Sequence, residues 1–528
     1  MSVATPRRRA GLLIPLFSCP STNSWGIGDI GDIEPLTTWL SAAGQRVLQL
    51  LPLNEMAPGQ QSPYSAISAL AIDPIYISVP RVPEFAALGG EDSLSPQDRD
   101  ALAAVGRAPR VMYEEVRRLK QHALRAAFER FRDAQWRQET ARGRAMHTYV
   151  SEQAWWLEDY SLFRALHVRE DERPWTAWPE ALQRRDPVAI DHARRESADE
   201  VLFQKYLQWL AGTQWQEARA RAHAQDVELF GDLPFMVDSD SADVWVRPHQ
   251  FRLDLSVGAP PDAFSAVGQD WGMPVYEWSA LAAEDFLWLR ARARRSADLF
   301  DGYRVDHLVG FYRTYGRSQS GGDGFFTPPD EPSQRALGET VLGLFRQAGA
   351  QIIAEDLGTV PDFVRTSLAR LGVPGYRLFR WERFWHLDGQ PFRDPSDYPA
   401  LSVAASGTHD TEPIAIWWDA APEAERRQVG ALPSIQRLTG GADLGQRPFD
   451  AAIRDVLLEV LFASASDLLL LPVQDAFGWR DRINEPATVS DENWTYRLPW
   501  PVDQLNEIQE ARERKDQLRA WSERYGRA

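Results

Sequence analysis

Short apolar runs alternate along this chain with longer segments whose apolar residues recur at helical spacing. In the segment 32–43, for example, Ile33, Leu36 and Leu40 lie on one face of a predicted helix that ends at Gly44. Strands that alternate with helices over hundreds of residues are typical of parallel α/β architecture. The predicted strands are the apolar runs 12–16, 47–51, 227–233, 303–305, 351–354, 401–405 and 468–473.

One long segment breaks the alternation, because its apolar residues, such as Val116, Leu119 and Ala123, have helical spacing almost throughout. We therefore expect an α/β fold, a (β/α)₈ TIM barrel with a large helical insertion. The chain after residue 473 is too short for a C-terminal β-sandwich domain of about 100 residues. Residues 1–95 are assigned to the first barrel strands and an aromatic-bearing loop, 96–224 to the insertion, and 225–528 to the remaining barrel, its active-site loops and a C-terminal helix.

The charge balance excludes several classes of partner. The 528 residues include 75 acidic and 58 basic side chains, a net charge of −17. Nucleic acids and anionic membranes attract clustered cations, so we expect neither as a partner. Cys19 is the single cysteine, which rules out an intrachain disulfide and a cysteine-based zinc site. No glycine-rich nucleotide-binding motif is present, and we expect no cofactor.

The N-terminus resembles an export signal, because Arg7, Arg8 and Arg9 precede an apolar run. That run is short and is interrupted by Pro15, so we interpret it as a buried first strand. Elsewhere the longest apolar stretch, 468–473, is far below the ~18–20 residues that a membrane-spanning helix needs. We therefore expect a cytoplasmic protein.

Three predicted strands end in a carboxylate: Asp306, Glu355 and Asp410. The C-terminal ends of barrel strands share one face, so these side chains are expected to meet in one pocket. A retaining glycosidase needs a carboxylate nucleophile and a carboxyl acid/base about 5–5.5 Å apart. Arg304 lies two residues before Asp306, on the same face of its strand, where it would keep that carboxylate ionised. The pattern therefore favours glycosidic chemistry.

Other interpretations of these residues stay open at this point. An acid after a strand often only caps the next helix. His307, His409 and the acids could instead bind a metal ion, although the chain has only nine histidines and no metal site is expected. A serine nucleophile has no support, since the G-x-S-x-G motif is absent.

Together the strand ends resemble the α-amylase clan, and the chain as a whole is similar to the 4-α-glucanotransferases (amylomaltase, disproportionating enzyme) of glycoside hydrolase family 77. The similarity is spread over nearly the full length. A loop rich in apolar residues, 258–272, is its most specific motif. The others are Leu51-Pro52-Leu53, Ser62-Pro63-Tyr64, Gly231-Asp232-Leu233-Pro234, the segment 240–245, Gln474-Asp475, and the stretch from Asn484 to Asn493-Trp494.

The resemblance implies a role for each of the three acids. Asp306 becomes the nucleophile of a covalent glucosyl-enzyme intermediate, Glu355 the general acid/base and Asp410 the transition-state stabiliser. The loop 258–272 is expected to overhang the site. Contacts with the substrate are implied for Tyr64, Asp262, Gln269, Trp271, Arg304, His409 and Asn484.

A few positions depart from the pattern of this family. Leu308-Val309-Gly310-Phe311 stands where Phe-Arg-Gly-Phe is frequent, Met273 stands where Asn is usual, and the loop 318–332 is unlike that of common members. None of these positions is one of the three acids. They affect the expected subsites, and hence the preferred chain length.

These features predict an enzyme that transfers α-1,4-glucan segments between maltodextrin, starch or glycogen chains. An α-1,4-glucan hydrolase on the same fold is the alternative, and a catalytically dead glucan-binding protein is less favoured because the three acids are intact. The chain has 21 tryptophans, most of which we expect in the core. Trp271, Trp278 and Trp494 instead lie near the site motifs, where flat rings suit sugars. The oligomeric state is left open.

Overall fold

The strands of this computed structural model, which describes residues 8–260, 268–318, 324–486, 488 and 490–528, form two separate sheets. Eight parallel strands close a barrel in the order β1-β12-β11-β10-β9-β6-β3-β2, and β5-β4-β7-β8 form an antiparallel sheet. The bounds are β1 (Arg9–Leu13), β2 (Val47–Gln49), β3 (Glu228–Leu233), β4 (Phe251–Ala259), β5 (Gln269–Tyr276), β6 (Gly302–Val305), β7 (Thr314–Ser318), β8 (Phe325–Thr327), β9 (Gln351–Ala354), β10 (Gly375–Leu378), β11 (Ser402–Ala405) and β12 (Leu468–Pro472).

Helices follow most barrel strands, and a long series of them separates β2 from β3. No helix in the described part of the chain is long and apolar enough to cross a membrane. The bounds are α1 (Ile33–Ala42), α2 (Pro83–Ala87), α3 (Pro96–Arg107), α4 (Tyr113–Phe131), α5 (Ala141–Glu152), α6 (Ala154–Arg169), α7 (Glu180–Gln183), α8 (Pro187–Glu196), α9 (Ala198–Ala224), α10 (Ala242–Val246), α11 (Trp278–Ala283), α12 (Leu287–Leu299), α13 (Glu331–Gln347), α14 (Asp362–Leu371), α15 (Ile414–Ala420), α16 (Glu423–Gly430), α17 (Pro433–Thr439), α18 (Ala451–Phe462), α19 (Val473–Phe477) and α20 (Gln509–Arg524).

The closed parallel barrel with its helical insertion confirms the predicted fold class. The described residues after β12 carry α19, α20 and irregular segments rather than a β-sandwich. The first strand begins earlier than its apolar run, because Arg9 pairs with Leu468 at the start of β12. β10 was not among the predicted strands, since its four residues, Gly-Tyr-Arg-Leu, contain only two large apolar side chains.

The barrel interior is filled by large apolar side chains from several strands, including Phe230 of β3 and Tyr376 of β10. β6 can approach β3 because Gly302 leaves room for the ring of Phe230. A Cβ at Gly302 would lie only 2.6 Å from that ring. Phe230 pairs with Gly302, and two residues further along the strands Asp232 pairs with Arg304. The same register therefore brings two oppositely charged side chains together where the strands end.

The sequence 258–272, predicted as a loop, is partly a strand pair. β4 and β5 pair antiparallel, with Gly258 opposite Asp270 and Ala259 opposite Gln269. A Cβ on Gly258 would meet the Gln269 carbonyl oxygen at 1.9 Å, so this close approach requires glycine. Residues 261–267 lie outside the described residues. The antiparallel sheet itself was not predicted.

Candidate active site

Arg304, on β6, lies between two carboxylates at the C-terminal mouth of the barrel. Its Nη1 donates to Oδ2 of Asp232 over 2.6 Å, and its Nη2 lies 2.7 Å from Oδ1 of Asp306. The arginine side chain is only 4% exposed, whereas that of Asp306 is 29% exposed. The ion pair with a buried guanidinium holds the Asp306 carboxylate in place and leaves it accessible to a ligand.

Tyr64 joins the ends of β3 and β11. Its hydroxyl donates to Oδ2 of Asp232 over 2.7 Å and lies 3.0 Å from Nε2 of His409. Its ring stacks on that of His409, with the centroids 5.5 Å apart, and Trp494 packs against both rings. The sequence motifs Ser62-Pro63-Tyr64, Gly231-Asp232-Leu233-Pro234 and Asn493-Trp494 thus meet at one point.

Asp410 follows β11 and is surrounded by groups that favour its charge. Nδ2 of Asn484 donates to its Oδ1 over 2.6 Å, and Nε2 of His409 lies 3.2 Å from its Oδ2. Burial raises the pKa of Asp410, but His409 and Asn484 outweigh it, so the pKa lies well below its usual range. Nη2 of Arg482 also donates to its backbone carbonyl over 3.1 Å. Asp410 is therefore a fixed negative charge.

Glu355 follows β9 and has the opposite electrostatic character. Its Oε2 accepts from the backbone N–H of His307 over 3.0 Å, and its Oε1 accepts from that of Leu357 over 3.1 Å. Burial raises the pKa of Glu355 to about 7, against the opposing charge of Arg304 and with help from Asp306. A carboxyl group with this pKa exchanges a proton near neutral pH, as a general acid/base requires.

Trp271, which was predicted to contact substrate, packs against His307, the residue next to Asp306. Its ring meets that of His307 edge-on, with the centroids 4.8 Å apart. Its Nε1 donates to Oε1 of Gln269 over 3.0 Å, which fixes the indole at the start of β5. Asp262, also predicted to contact substrate, lies outside the described residues.

The structure thus brings together most of the residues predicted from the sequence. Those linked by direct contacts or through His307 are Tyr64, Gln269, Trp271, Arg304, Asp306, Glu355, His409, Asp410 and Asn484. None of the three acids caps the helical segment that follows it, since the N-cap positions there are occupied by His307, Pro361 and Pro413. The described residues contain no group of three or more His, Cys, Asp or Glu arranged to hold a metal.

Sequence reasoning gave no role to Asp232, although it belongs to a quoted motif. The residue is 3% exposed, and burial raises its pKa to about 6 against the charge of Arg304. Its position near the end of β3 was the available signal, because it satisfies the same strand-end criterion as Asp306. His307 was considered only as a metal ligand, whereas here its backbone N–H holds Glu355.

A parallel barrel that presents one salt-bridged carboxylate, one carboxyl of raised pKa and one fixed carboxylate is the architecture of an enzyme of glycoside chemistry. The model of the 4-alpha-glucanotransferase family, glycoside hydrolase family 77, matches residues 14–503. The chain belongs to this family.

Relatives with the same description align over nearly the whole chain. A 4-alpha-glucanotransferase of Chlamydia pneumoniae is 33% identical, over 94% of this chain and 92% of its own length. One from Synechocystis is also 33% identical, over 95% of each chain. Among solved structures, the amylomaltase from Streptococcus agalactiae in complex with acarbose has a TM-score of 0.82 and 25% identity, and the alignment covers 99% of this chain and 100% of that one.

Proposed function

We propose that this protein transfers α-1,4-glucan segments from one maltodextrin chain to another by a retaining double displacement. The observation that carries the proposal is the pair Asp306 and Glu355. Arg304 forms an ion pair with the first, and burial keeps a proton available on the second near neutral pH. One ionised and one protonated carboxyl at the same mouth are what a retaining mechanism requires.

In the first step a carboxylate oxygen of Asp306 attacks the anomeric carbon of the donor glucan. The glycosidic bond breaks, and Glu355 gives its proton to the departing 4-oxygen. A covalent glucosyl ester on Asp306 remains. Because Glu355 is held by the backbone N–H of His307, the residue next to the nucleophile, the two groups keep a fixed relation.

In the second step the 4-hydroxyl of an acceptor glucan attacks the same carbon. Glu355, now ionised, takes the proton of that hydroxyl, and the ester bond to Asp306 breaks. One glycosidic bond has been exchanged for another, with the configuration retained. The fixed charge of Asp410, held by His409 and Asn484, stabilises the positive charge that develops on the sugar in both steps.

We assign substrate contacts to Tyr64, Arg304, His409 and Asn484 on one side of the reaction centre and to Gln269 and Trp271 on the other. Asp262 is included with them on the resemblance alone. The β4–β5 pair brings Trp271 against His307, and an apolar cover of this kind favours transfer over hydrolysis by excluding water. We place the reaction in the cytoplasm, in keeping with the single reduced cysteine, Cys19.

Incubation with maltotriose, followed by separation of the products, tests the proposal. Glucose together with chains longer than maltotriose is the expected result. Glucose and maltose alone would assign a hydrolase, and unchanged maltotriose would assign a glucan-binding protein without activity. Asp306→Ala is expected to abolish turnover, whereas full activity of this variant would refute the nucleophile. Binding of maltotriose to the variant serves as the control for its fold.

A further inference from the structure

Two tryptophans stand apart from the rest in their exposure. Trp381 is 37% exposed and Trp385 57% exposed, and they are the only tryptophans among the exposed large apolar residues of the described chain. Leu387, on the same short segment, is 46% exposed. Since tryptophan is buried on average, exposed indoles clustered within a few residues indicate a binding surface.

These residues lie on a hairpin that directly follows β10, here called the aromatic hairpin (residues 381–393). Arg383 and Phe392 form an antiparallel bridge, the N–H of Phe384 donates to the carbonyl of Pro391, and the N–H of Arg393 donates to that of Glu382. The backbone is therefore paired, and the exposed tip does not need to become ordered when it binds a ligand.

The base of the aromatic hairpin is anchored in the core. Phe379 and Phe392 are buried and stacked with their centroids 5.8 Å apart, and Trp417 of α15 packs against both. The Arg383 guanidinium lies 3.9 Å from the ring centroid of Phe392 and 5.8 Å from that of Trp385. Trp385 is thus supported from below while its outer side faces solvent.

The topology locates the aromatic hairpin at the catalytic mouth. β10 lies between β9, which precedes Glu355, and β11, which precedes Asp410, and all three strands are parallel. A second link runs through Arg380, which donates to the backbone carbonyl of Ser406 over 3.3 Å and to Glu412 over 2.8 Å. Ser406 and Glu412 lie on the segment that carries Asp410.

The chemistry of the tip suits a neutral, hydroxyl-rich ligand. Charges of both signs surround the tryptophans, from Glu382, Arg383, Asp388 and Arg393. No single sign dominates there, so a polyanion has no cationic track. With a net charge of −17, a second copy of this chain would be repelled, whereas an uncharged glucan would not. Flat apolar rings within a polar rim match the faces of glucose units.

We propose that the aromatic hairpin is a remote glucan-binding site, on which Trp381 and Trp385 stack glucose units of a long α-1,4-glucan whose reacting end lies at Asp306. This inference rests on the proposed function and extends it to the length of the preferred chain. Maltotriose occupies the reaction centre alone, and amylose occupies both.

The test compares the W381A/W385A double variant with W381F/W385F, using amylose and maltotriose as probes. We expect W381A/W385A to lose about tenfold in kcat/KM for amylose, and to lose the retardation that amylose causes in a native gel. Its turnover of maltotriose is expected to stay within about twofold of wild type. W381F/W385F keeps flat rings and is expected to retain most of the amylose effect. Leu401→Ala is a matched control, since Leu401 is 39% exposed but precedes β11, at the opposite end of the barrel.

Several results would overturn the proposal. One is that amylose retards W381A/W385A in a native gel as much as it retards wild type. Another is that the variant loses kcat/KM equally for amylose and for maltotriose. A third is a change in sedimentation from dimer to monomer without an effect on amylose, which would make the hairpin an interface between copies. The gel experiment does not depend on turnover. Amylose binding is thus still measurable if wild-type protein fails to disproportionate maltotriose, which would refute only the proposed function.

Discussion

The strands β9 and β11 each lead into a loop that presents one carboxylate to the mouth of the barrel. The surroundings raise the pKa of the carboxylate after β9 and lower the pKa of the one after β11. Glu355 accepts from two backbone N–H groups, which favour its charged form, but burial outweighs them and raises its pKa to about 7. Asp410 receives an amide and an imidazole, and its pKa falls well below the usual range despite burial. The difference shows that the burial and the hydrogen-bond partners of a carboxylate, and not its place at a strand end, decide whether it exchanges a proton near neutral pH or stays ionised.

The largest expected effect on turnover comes from replacing Glu355, the carboxyl group of raised pKa. Glu355→Gln keeps the shape of the side chain and one of its two backbone hydrogen bonds, since only the amide oxygen can accept. It cannot give a proton to the leaving oxygen, so turnover of maltotriose should fall about 10²–10⁴-fold. A maltosyl fluoride donor needs no such proton, and the variant should form the glucosyl intermediate from it at nearly the wild-type rate. Mass spectrometry of the trapped intermediate measures this. A variant equally slow with both donors would argue against Glu355 as the acid.

The second effect concerns the fixed charge. Asp410→Asn removes the anion but leaves Asn484 and His409 in place, and kcat should fall about 10²–10³-fold because the charge developing on the sugar loses its partner. A fluoride donor should give no recovery here, since the lost interaction is needed whatever the leaving group. If the fluoride donor restored the rate of this variant to the same extent as that of Glu355→Gln, the two carboxylates would have the same role.

The pH dependence of kcat/KM also distinguishes Glu355 from Asp410, with a smaller expected effect. In the proposed mechanism the free enzyme needs Glu355 protonated to break the donor bond, so kcat/KM for maltotriose should fall about tenfold per pH unit above the Glu355 pKa of about 7. Asp410, whose pKa is lowered, stays ionised over this range and adds no limb. Initial rates at limiting maltotriose between about pH 5 and 9 measure the profile. The Asp410→Asn variant should keep the alkaline limb, and a limb that moved with this substitution would contradict the assignment.

The smallest effect is on stability, where the two acids should differ in sign. The raised pKa of Glu355 means that its ionisation costs stability as the pH rises from its usual range to about 7. The unfolding free energy of Glu355→Gln relative to wild type should therefore rise by about 2 kcal/mol from pH 4 to pH 8, a difference in which the lost backbone hydrogen bond cancels. The lowered pKa of Asp410 stabilises the fold above the usual range, and this is lost as the pH falls. Asp410→Asn should therefore destabilise at pH 8, by less than about 1 kcal/mol because its side chain is 37% exposed.

Thermal unfolding of both variants and the wild type, at pH 8 and again at pH 4, measures these two shifts. The melting temperature of Glu355→Gln, taken relative to wild type, should be higher at pH 8 than at pH 4, because the cost in the wild type arises only once the carboxyl ionises. A difference from wild type that stayed the same at both pH values would contradict the electrostatic description of the site.

The sequence predicted the barrel because parallel strands buried on both faces are continuous apolar runs. β10 escaped this criterion, since Arg377 interrupts its four residues and the strand is recognised from its pairing with β9 and β11. The antiparallel sheet was missed because β4 mixes polar and apolar residues and its partner β5 begins within a segment that had been assigned to a loop. Long-range pairing of this kind leaves little local signal.

For the site, strand ends and motifs predicted which residues meet and which acid carries the proton, but not how far the surroundings shift each pKa. The raised pKa values of Glu355 and Asp232 both depend on the depth of their burial. Neither can be inferred from residue type or spacing, because both depend on contacts between segments far apart in the chain. The two exposed tryptophans of the aromatic hairpin were likewise indistinguishable from core tryptophans until their surroundings were known.

The register between β3 and β6 limits which segments of this protein can be replaced without disturbing the reaction centre. Asp232, Arg304 and Asp306 are set by backbone pairing inside the barrel, whereas the β4–β5 pair and the aromatic hairpin are attached outside it. A one-residue slip in the pairing would turn Arg304 to the other face of its strand and destroy the reaction centre. Exchange of the attached hairpins leaves that pairing intact. Under the proposed function, the hairpins assigned to glucan binding can therefore change while the barrel pairing that holds the reaction centre stays the same.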